Sequence, residues 1–272
     1  MPKLNAILCE LLGTLLLVVI VSAASVANTA VGGQDLGGEA VANGLVVAVI
    51  VTATLNISGG HINPAVTIAL FTIGKIQKKV ALVFIGAQVL GAGLGGLLVQ
   101  KLLPVELANR CLYGTPHLHP DLSIGQGIGI EILATFILGF SICATVLNNK
   151  VPIQTGGIGI GAAVAFLVYA FGPLTGAAMN PASTTGQCLG SRSLESPLAL
   201  LGWPGHRSHS CAANMHPTIW RTDRETRETT KLLKQFQNIF RRTPQHSLPL
   251  ANNNGALNKD RVPGKNPQPL TL

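Results

Sequence analysis

Two Asn-Pro-Ala tripeptides are the residues of this sequence best suited to act on a solute without covalent chemistry. They are Asn63-Pro64-Ala65 and Asn180-Pro181-Ala182. Because Asn is a favoured N-cap and Pro a favoured first helical residue, each tripeptide predicts the start of a helix. The apolar run after the first, residues 66–73, is long enough to cross only about half a bilayer. Irregular backbone at membrane depth survives only when it is buried or lines water, so we expect two half-helices beside an aqueous path.

Two acidic residues lie inside apolar segments, where a carboxylate costs about 2.5 kcal/mol or more at a helix centre. They are Glu10 and Glu131, and each opens the pattern Glu-x3-Thr. One interpretation is that their side chains extend to the membrane interface. The other is that each carboxylate accepts hydrogen bonds from a buried loop.

Both motifs belong to an internal repeat. The Glu-x3-Thr pattern recurs at an offset of 121 residues and Asn-Pro-Ala at an offset of 117. Each full half predicts three membrane spans, so the second half enters the membrane from the opposite side. This is an inverted repeat, whose shared site is expected near the middle of the membrane.

Composition indicates that the repeat is membrane-embedded. The 272 residues are 47% hydrophobic and 11% charged, with a mean hydropathy of +0.43, whereas soluble domains are about 25% charged. Five apolar segments of spanning length lie at residues 5–27, 39–57, 80–103, 125–147 and 156–171. Lys3, Lys75, Lys78, Lys79 and Lys150 fall on one side if the N-terminus is cytoplasmic. We therefore expect a multi-pass protein of a plasma or inner membrane with a cytoplasmic N-terminus.

The net charge of +8 comes mainly from the C-terminal part. Residues 1–189 carry 7 Lys or Arg and 6 Asp or Glu, whereas residues 190–272 carry 12 and 5. This basic tail, residues 191–272, is expected to be disordered or partly helical. Residues 221–242 have the spacing of an amphipathic helix, which could anchor to a membrane surface or remain solvated. The charge distribution gives no reason to expect a nucleic-acid partner.

The sequence around the two tripeptides resembles that of the aquaporin, or major intrinsic protein, family. The residues that carry the resemblance are GHINPAVT at 60–67 and TGAAMNPA at 175–182, within a similarity that covers about residues 5–182. The resemblance implies an all-α integral membrane fold, an inverted repeat with two re-entrant half-helices. Domain 1–190 would hold repeat one at about 5–103 and a truncated repeat two at about 125–190. The family further implies a homotetramer and no cofactor.

The resemblance also implies roles for single residues. The side-chain amides of Asn63 and Asn180 would donate hydrogen bonds to one passing oxygen, and Glu10 and Glu131 would hold the re-entrant loops. His61 is interpreted as supporting its loop rather than lining the pore. The selectivity constriction would lie at four positions, Asn43, Val168, Ala177 and Ser183. Ser183 departs from the family, which has Arg there, so this constriction should be wider and repel cations less.

The sixth helix of the family is missing or replaced in this chain. Residues 194–207, back-translated with permitted codons and read one base later, give WKVHWLYWAGPVIG, which resembles the entry of the family's sixth helix. The same shift permits an Arg codon at Ser183. We hypothesise that residues from about Ser183 onward are translated out of frame. The alternative is a genuine five-span variant with a divergent tail.

These observations favour a passive channel for water and possibly small neutral solutes that excludes ions and protons. Two alternatives remain, namely a non-conducting relic of such a channel and, with less support, a secondary transporter, which shares inverted repeats and broken helices. No acid, base and nucleophile fall together, so an enzyme is not expected. The five cysteines show no metal-ligand spacing, and no metal site is predicted.

Overall fold

The computed structural model describes residues 1–191 together with Gly205–His206. Within this part, five helices are long and apolar enough to cross a membrane. They are α1 (Leu4–Ala30), α2 (Leu36–Thr54), α4 (Lys78–Leu102), α6 (Ile124–Thr145) and α7 (Gly156–Thr175). Each predicted apolar segment corresponds to one of these helices, with ends that agree within four residues.

Short elements connect the spanning helices. Two of them, α3 (Pro64–Thr72) and α8 (Pro181–Ser191), are the half-helices, and α5 (Val105–Arg110) follows α4. Single 3-10 turns lie at Leu112–Gly114 and Ile153–Thr155, and β1 (His117–Leu118) pairs in parallel with β2 (Gly205–His206). The half-helix α8 continues one residue past the predicted domain boundary at 190. The predicted amphipathic helix at 221–242 and the position of a sixth helix lie outside the described residues.

The two halves meet where α2 crosses α7. A Cβ atom on Gly44 would lie 2.5 Å from the carbonyl oxygen of Gly161, and a Cβ on Gly161 would overlap the carbonyl oxygen of Gly44. The two helices therefore touch through their backbones, which only small residues permit. Gly44 and Gly161 are separated by the repeat offset of 117, so the crossing lies on the pseudo-two-fold axis of the repeat.

Within the first half, α1 packs against α4 through a second pair of glycines. A Cβ on Gly91 would overlap the carbonyl oxygen of Leu11, and one on Gly95 would lie 2.8 Å from the carbonyl oxygen of Leu15. Gly-x3-Gly spacing is typical of membrane helices that pack this closely. This contact fixes α4 beside the N-terminal helix.

The outer surfaces of the spanning helices are apolar. On α1 an exposed stripe recurs every fourth residue, at Leu4, Leu8, Leu12, Leu16 and Ile20. On α6 the exposed stripe comprises Ile128, Ile132, Phe136 and Phe140. Large exposed apolar faces of this length would be unstable in water but suit lipid. The chain is therefore a multi-pass integral membrane protein.

Candidate functional site

Each Asn-Pro-Ala tripeptide forms a capped helix start. Asn63 has an extended backbone (φ −155°, ψ 120°), and its Oδ1 accepts a hydrogen bond from the Ala65 amide at 2.8 Å. In the second half, Asn180 Oδ1 accepts from the amides of Ala182 at 3.1 Å and Ser183 at 3.3 Å. Because Oδ1 is committed to the cap, the side-chain NH2 group of each Asn must point away from its own helix.

The two NH2 groups reach across to the opposite half. Asn63 Nδ2 donates to the carbonyl oxygen of Met179, and Asn180 Nδ2 donates to the carbonyl oxygen of Ile62, both at 2.9 Å. An amide NH2 carries two N–H bonds, so each of these groups keeps one more donor. The contacts bring together the N-termini of α3 and α8, which come from opposite halves of the chain.

Glu10 lies fully buried behind the first re-entrant loop, with none of its surface exposed. Its carboxylate accepts from the backbone amides of His61 at 3.1 Å and Ile62 at 2.7 Å. It also accepts from the Ser58 hydroxyl at 2.6 Å and from Gln88 Nε2 at 2.8 Å. The hydrogen bonds are made inside the protein, so the side chain does not extend to the membrane interface.

Glu131 has the same relation to the second re-entrant loop but is only partly buried. It accepts from the backbone amides of Ala178 at 3.0 Å and Met179 at 3.1 Å, and from the Thr175 hydroxyl at 2.6 Å. Each of these donors is the repeat partner, 117 residues on, of a donor to Glu10. The two halves therefore hold their loops by the same arrangement.

These loops contain residues in the left-handed backbone region. Ile62 (φ 41°) and Met179 (φ 40°) precede the two asparagines, and Ala177 (φ 46°) lies two residues further back. A residue with a side chain in this region costs about 1–3 kcal/mol and needs support from its surroundings. Charge-assisted hydrogen bonds to Glu10 and Glu131 provide that support for Ile62 and Met179.

A cavity of about 500 Å³ is lined by both asparagines and by both re-entrant loops. Four spanning helices contribute a stripe of side chains to it at helical spacing. The stripes are Leu17, Val21, Ser25 and Asn28 of α1, Glu39, Asn43, Val47 and Val51 of α2, Leu138 and Ile142 of α6 with Val146 directly after it, and Ile160, Val164 and Val168 of α7. Offsets of 121 and 117 relate the α6 and α7 stripes to members of the α1 and α2 stripes. This part of the cavity lining therefore follows the repeat.

The four residues expected at a constriction lie around this cavity. Asn43 is on α2, Val168 on α7, Ala177 in the second loop and Ser183 in the first turn of α8. All four are buried and line the cavity. Four positions that are up to 140 residues apart in the chain thus line the same cavity.

His61 lines the same cavity and is also held by side chains of α3 and α4. Its Nδ1 lies 3.2 Å from Thr67 Oγ1, and its ring packs edge-on against Phe84 with 5.3 Å between centroids. Only 4% of the residue is exposed. The sequence favoured loop support over a place on the cavity wall, whereas His61 lies on that wall.

Several residues of the site were missed by the sequence analysis. Gln88 Nε2 donates to both Glu10 and Thr67 Oγ1, which joins α4 to the first half-helix. At one mouth of the cavity, Glu39 accepts from Ser25 Oγ and from Asn28 Nδ2. The spacing of Glu39 four residues before Asn43 was a usable signal, because such residues share a helix face.

Comparisons with known proteins agree with this architecture. The family model described as "Major intrinsic protein" matches residues 1–203. The match extends beyond Ala182, the predicted end of the resemblance. The aquaporin TIP4-4 of Zea mays is 38% identical over 196 residues, which are 68% of this chain and 75% of that protein. The aquaporin NIP1-2 of Oryza sativa subsp. japonica is 34% identical over 194 residues, 70% of this chain. The chain spans 63% of the length of this rice relative.

A solved structure has the same fold. The aquaglyceroporin from Plasmodium falciparum superposes with a TM-score of 0.63 over 72% of this chain and 84% of its own, at 25% identity. The family match covers most of the chain, and the helices, half-helices and paired loops follow one inverted repeat. The chain belongs to the major intrinsic protein family.

Proposed function

We propose that this protein is a passive channel for water and small neutral solutes. The observation that carries the proposal is the reciprocal pair of Asn-to-carbonyl hydrogen bonds at the meeting point of two half-helices, inside one cavity lined by both halves. At this point each Asn retains one N–H donor, so a passing oxygen can accept from both. Pro64, Ala65, Pro181 and Ala182 complete the helix starts that orient these donors.

The electrostatics of the same point would exclude cations and protons. Each half-helix places a dipole charge of about +0.5 at its N-terminus, so about one positive charge faces the middle of the pore. In a narrow pore of low dielectric this charge raises the barrier to cations. Water and neutral solutes lack a net charge and pass.

The constriction would also admit neutral solutes larger than water. Its four residues include no cationic or aromatic side chain; they are Asn43, Val168, Ala177 and Ser183. No aromatic ring therefore narrows the opening, and no positive charge at this level repels cations. Glu10 and Glu131 would keep the re-entrant loops in place through hydrogen bonds to loop amides, and His61 would support the first loop from the cavity wall. We further propose a homotetramer in a plasma or inner membrane, with the N-terminus in the cytoplasm.

A secondary transporter is the weaker alternative, because a coupled ion needs a site near the middle of the membrane. The carboxylates of Glu10 and Glu131 already accept hydrogen bonds from loop amides. An enzyme is not supported either, since the hydroxyl groups beside Glu10 and His61, those of Ser58 and Thr67, take part in the hydrogen bonds that hold the first re-entrant loop and α3.

Stopped-flow light scattering of proteoliposomes tests the proposal. Water flux that does not saturate and needs no ion gradient is the expected result, together with measurable flux of urea or glycerol. Flux that requires a sodium or proton gradient would favour the transporter. Correctly inserted protein without any flux would favour a non-conducting relic.

A further inference from the structure

Helix α4 closes one side of the first half by lying in a groove between α1 and α8. A Cβ on Gly91 would overlap the carbonyl oxygen of Leu11 on α1, and a Cβ on Gly96 would overlap the carbonyl oxygen of Gly186 on α8. Contacts this close between membrane helices need small residues. The repeat relates α1 to α6 and α8 to α3. Among residues 1–191, however, the second half has no counterpart of α4.

The repeat-related groove, between α6 and α3, is open. Ile132, the repeat partner of the leucine that α4 contacts, is 65% exposed. Val18 is fully buried beneath α4, but its repeat partner Gly139 has no described atom within 4 Å of an added Cβ. On the other wall, Gly186 is buried against α4, whereas its repeat partner Ala69 is exposed. The same two surfaces are therefore covered in the first half and uncovered in the second.

The carboxylates behind the two loops differ by one hydrogen bond, at the atom that faces this groove in the repeat. In both residues Oε1 accepts from one hydroxyl and one backbone amide. Glu10 Oε2 accepts from the Ile62 amide and also from Gln88 Nε2 of α4. Glu131 Oε2 accepts only from the Met179 amide among the described residues. Since a carboxylate oxygen accepts about two hydrogen bonds, Glu131 has room for one donor at a depth where lipid offers none.

The residues after α8 are too polar or too few to form a spanning helix in this groove. Their longest apolar run is residues 197–203, whereas a span needs about 20 residues. The chain leaves α8 beside Thr115, which donates to Ser191, and β2 pairs with β1 of the same loop. Fully extended, residues 192–204 reach about 45 Å, less than two crossings of about 30 Å. A second copy of the chain cannot supply its α4, because that helix lies in its own groove.

We propose that the groove between α3 and α6 takes an apolar membrane helix of a separate polypeptide. The partner runs parallel to α6, because Gly91 and Gly95 of α4 contact Leu11 and Leu15 of α1 in the same order along both helices. It carries small residues four positions apart, which meet the backbone of α6. An amide side chain three residues before the first small residue donates to Glu131. This inference goes beyond the proposed channel function and does not depend on it.

The test is photo-cross-linking in proteoliposomes that contain the full chain. The probe is a synthetic, fluorescent peptide with the sequence of residues 78–102, since α4 has the small residues and the amide that the groove requires. It carries a photoreactive leucine in place of Ala87, one helical turn before Gly91. We expect the peptide to label α6, as mapped by mass spectrometry, and the labelling to saturate as the peptide content of the membrane rises.

Variants of the peptide and of the protein test the contacts separately. With Gln88→Leu in the peptide, half-maximal labelling should need about tenfold more peptide, because a hydrogen bond to a charged group is lost. A peptide with both Gly91→Leu and Gly95→Leu should not label α6. In the protein, Gly139→Leu fills the groove and should prevent labelling. The matched control is Gly86→Leu on the exposed face of α4, where an added Cβ also meets nothing within 4 Å.

Three results would overturn the inference. The first is labelling that never saturates and falls equally on the exposed faces of α1 and α6, as expected of a groove that lipid fills. The second is equal labelling by the original and the doubly substituted peptide. The third is equal labelling of Gly139→Leu and Gly86→Leu. If Gly139→Leu does not insert into the membrane, the two peptides decide the question alone. Because the readout is not flux, failure of the channel function would leave this test intact.

Discussion

Asn180→Asp changes the electrostatics of the pore centre while it preserves the helix start. An Asp side chain can still accept from the amides of Ala182 and Ser183, so the cap of α8 should survive. It can no longer donate to the carbonyl oxygen of Ile62, which now accepts from Asn180 Nδ2 at 2.9 Å. It also adds one negative charge at the point where the two half-helix dipoles meet.

The size of the effect follows from these contacts. The two dipoles contribute about one positive charge in total, which a single carboxylate cancels. At about 4 Å and an effective dielectric constant of about 20, the carboxylate attracts a monovalent cation by about 4 kcal/mol. This corresponds to nearly a thousandfold higher cation occupancy. We therefore expect a cation conductance that the unmodified protein lacks, together with slower water flux.

Planar-bilayer recordings and stopped-flow measurements on the same preparation provide the assay. The cation conductance should decrease as the pH is lowered, because a protonated Asp is neutral and can donate to Ile62 again. Asn5→Asp is the matched control, since it adds the same charge at an exposed position outside the cavity. Unchanged water flux and an absent cation conductance at neutral pH would refute the placement of Asn180 at the charge barrier.

Three further substitutions test other parts of the structure. Glu10→Gln should lower the unfolding free energy by about 1–3 kcal/mol, because a buried loop amide loses its acceptor. Thermal unfolding in detergent measures the loss of stability. A smaller loss than in Glu131→Gln, where the side chain is less buried, would contradict the prediction. Ser183→Arg should reduce glycerol flux more than water flux in proteoliposomes, and an equal reduction of both would argue against a constriction there. Gly44→Ala should cost about 1–3 kcal/mol by overpacking, whereas Gly139→Ala, where a Cβ meets nothing within 4 Å, should not.

Part of the fold could be predicted because the signal is local and repeated. Five apolar segments of spanning length correspond to α1, α2, α4, α6 and α7, since lipid requires about 20 apolar residues per helix. The two Asn-Pro pairs start α3 and α8 because capping depends on residues next to each other. Offsets of 117 and 121 residues also relate cavity-lining positions of the second half to those of the first.

Contacts between distant residues carried no such signal. In the sequence, Gln88 is a single polar residue in the middle of the apolar helix α4. In the structure its Nε2 donates to Glu10 of α1 and to Thr67 of α3. The same is true of Ser25 and Asn28, whose contact with Glu39 requires α1 and α2 to pack side by side. Neither partner is identified by spacing within its own helix.

The sequence by itself determined the membrane class, the inverted repeat, the half-helix starts and the family. These follow from composition, capping chemistry and the period of apolar residues, all of which act over a few neighbouring positions. Only the tertiary structure decided where the asparagine amides point and which backbone carbonyls they reach. It also placed Glu39 and Asn43 on the wall of the cavity. The reason is that the hydrogen bonds from Asn63 to Met179 and from Asn180 to Ile62 join residues more than 100 positions apart. These residues approach each other only when the two halves pack together, as α2 and α7 do.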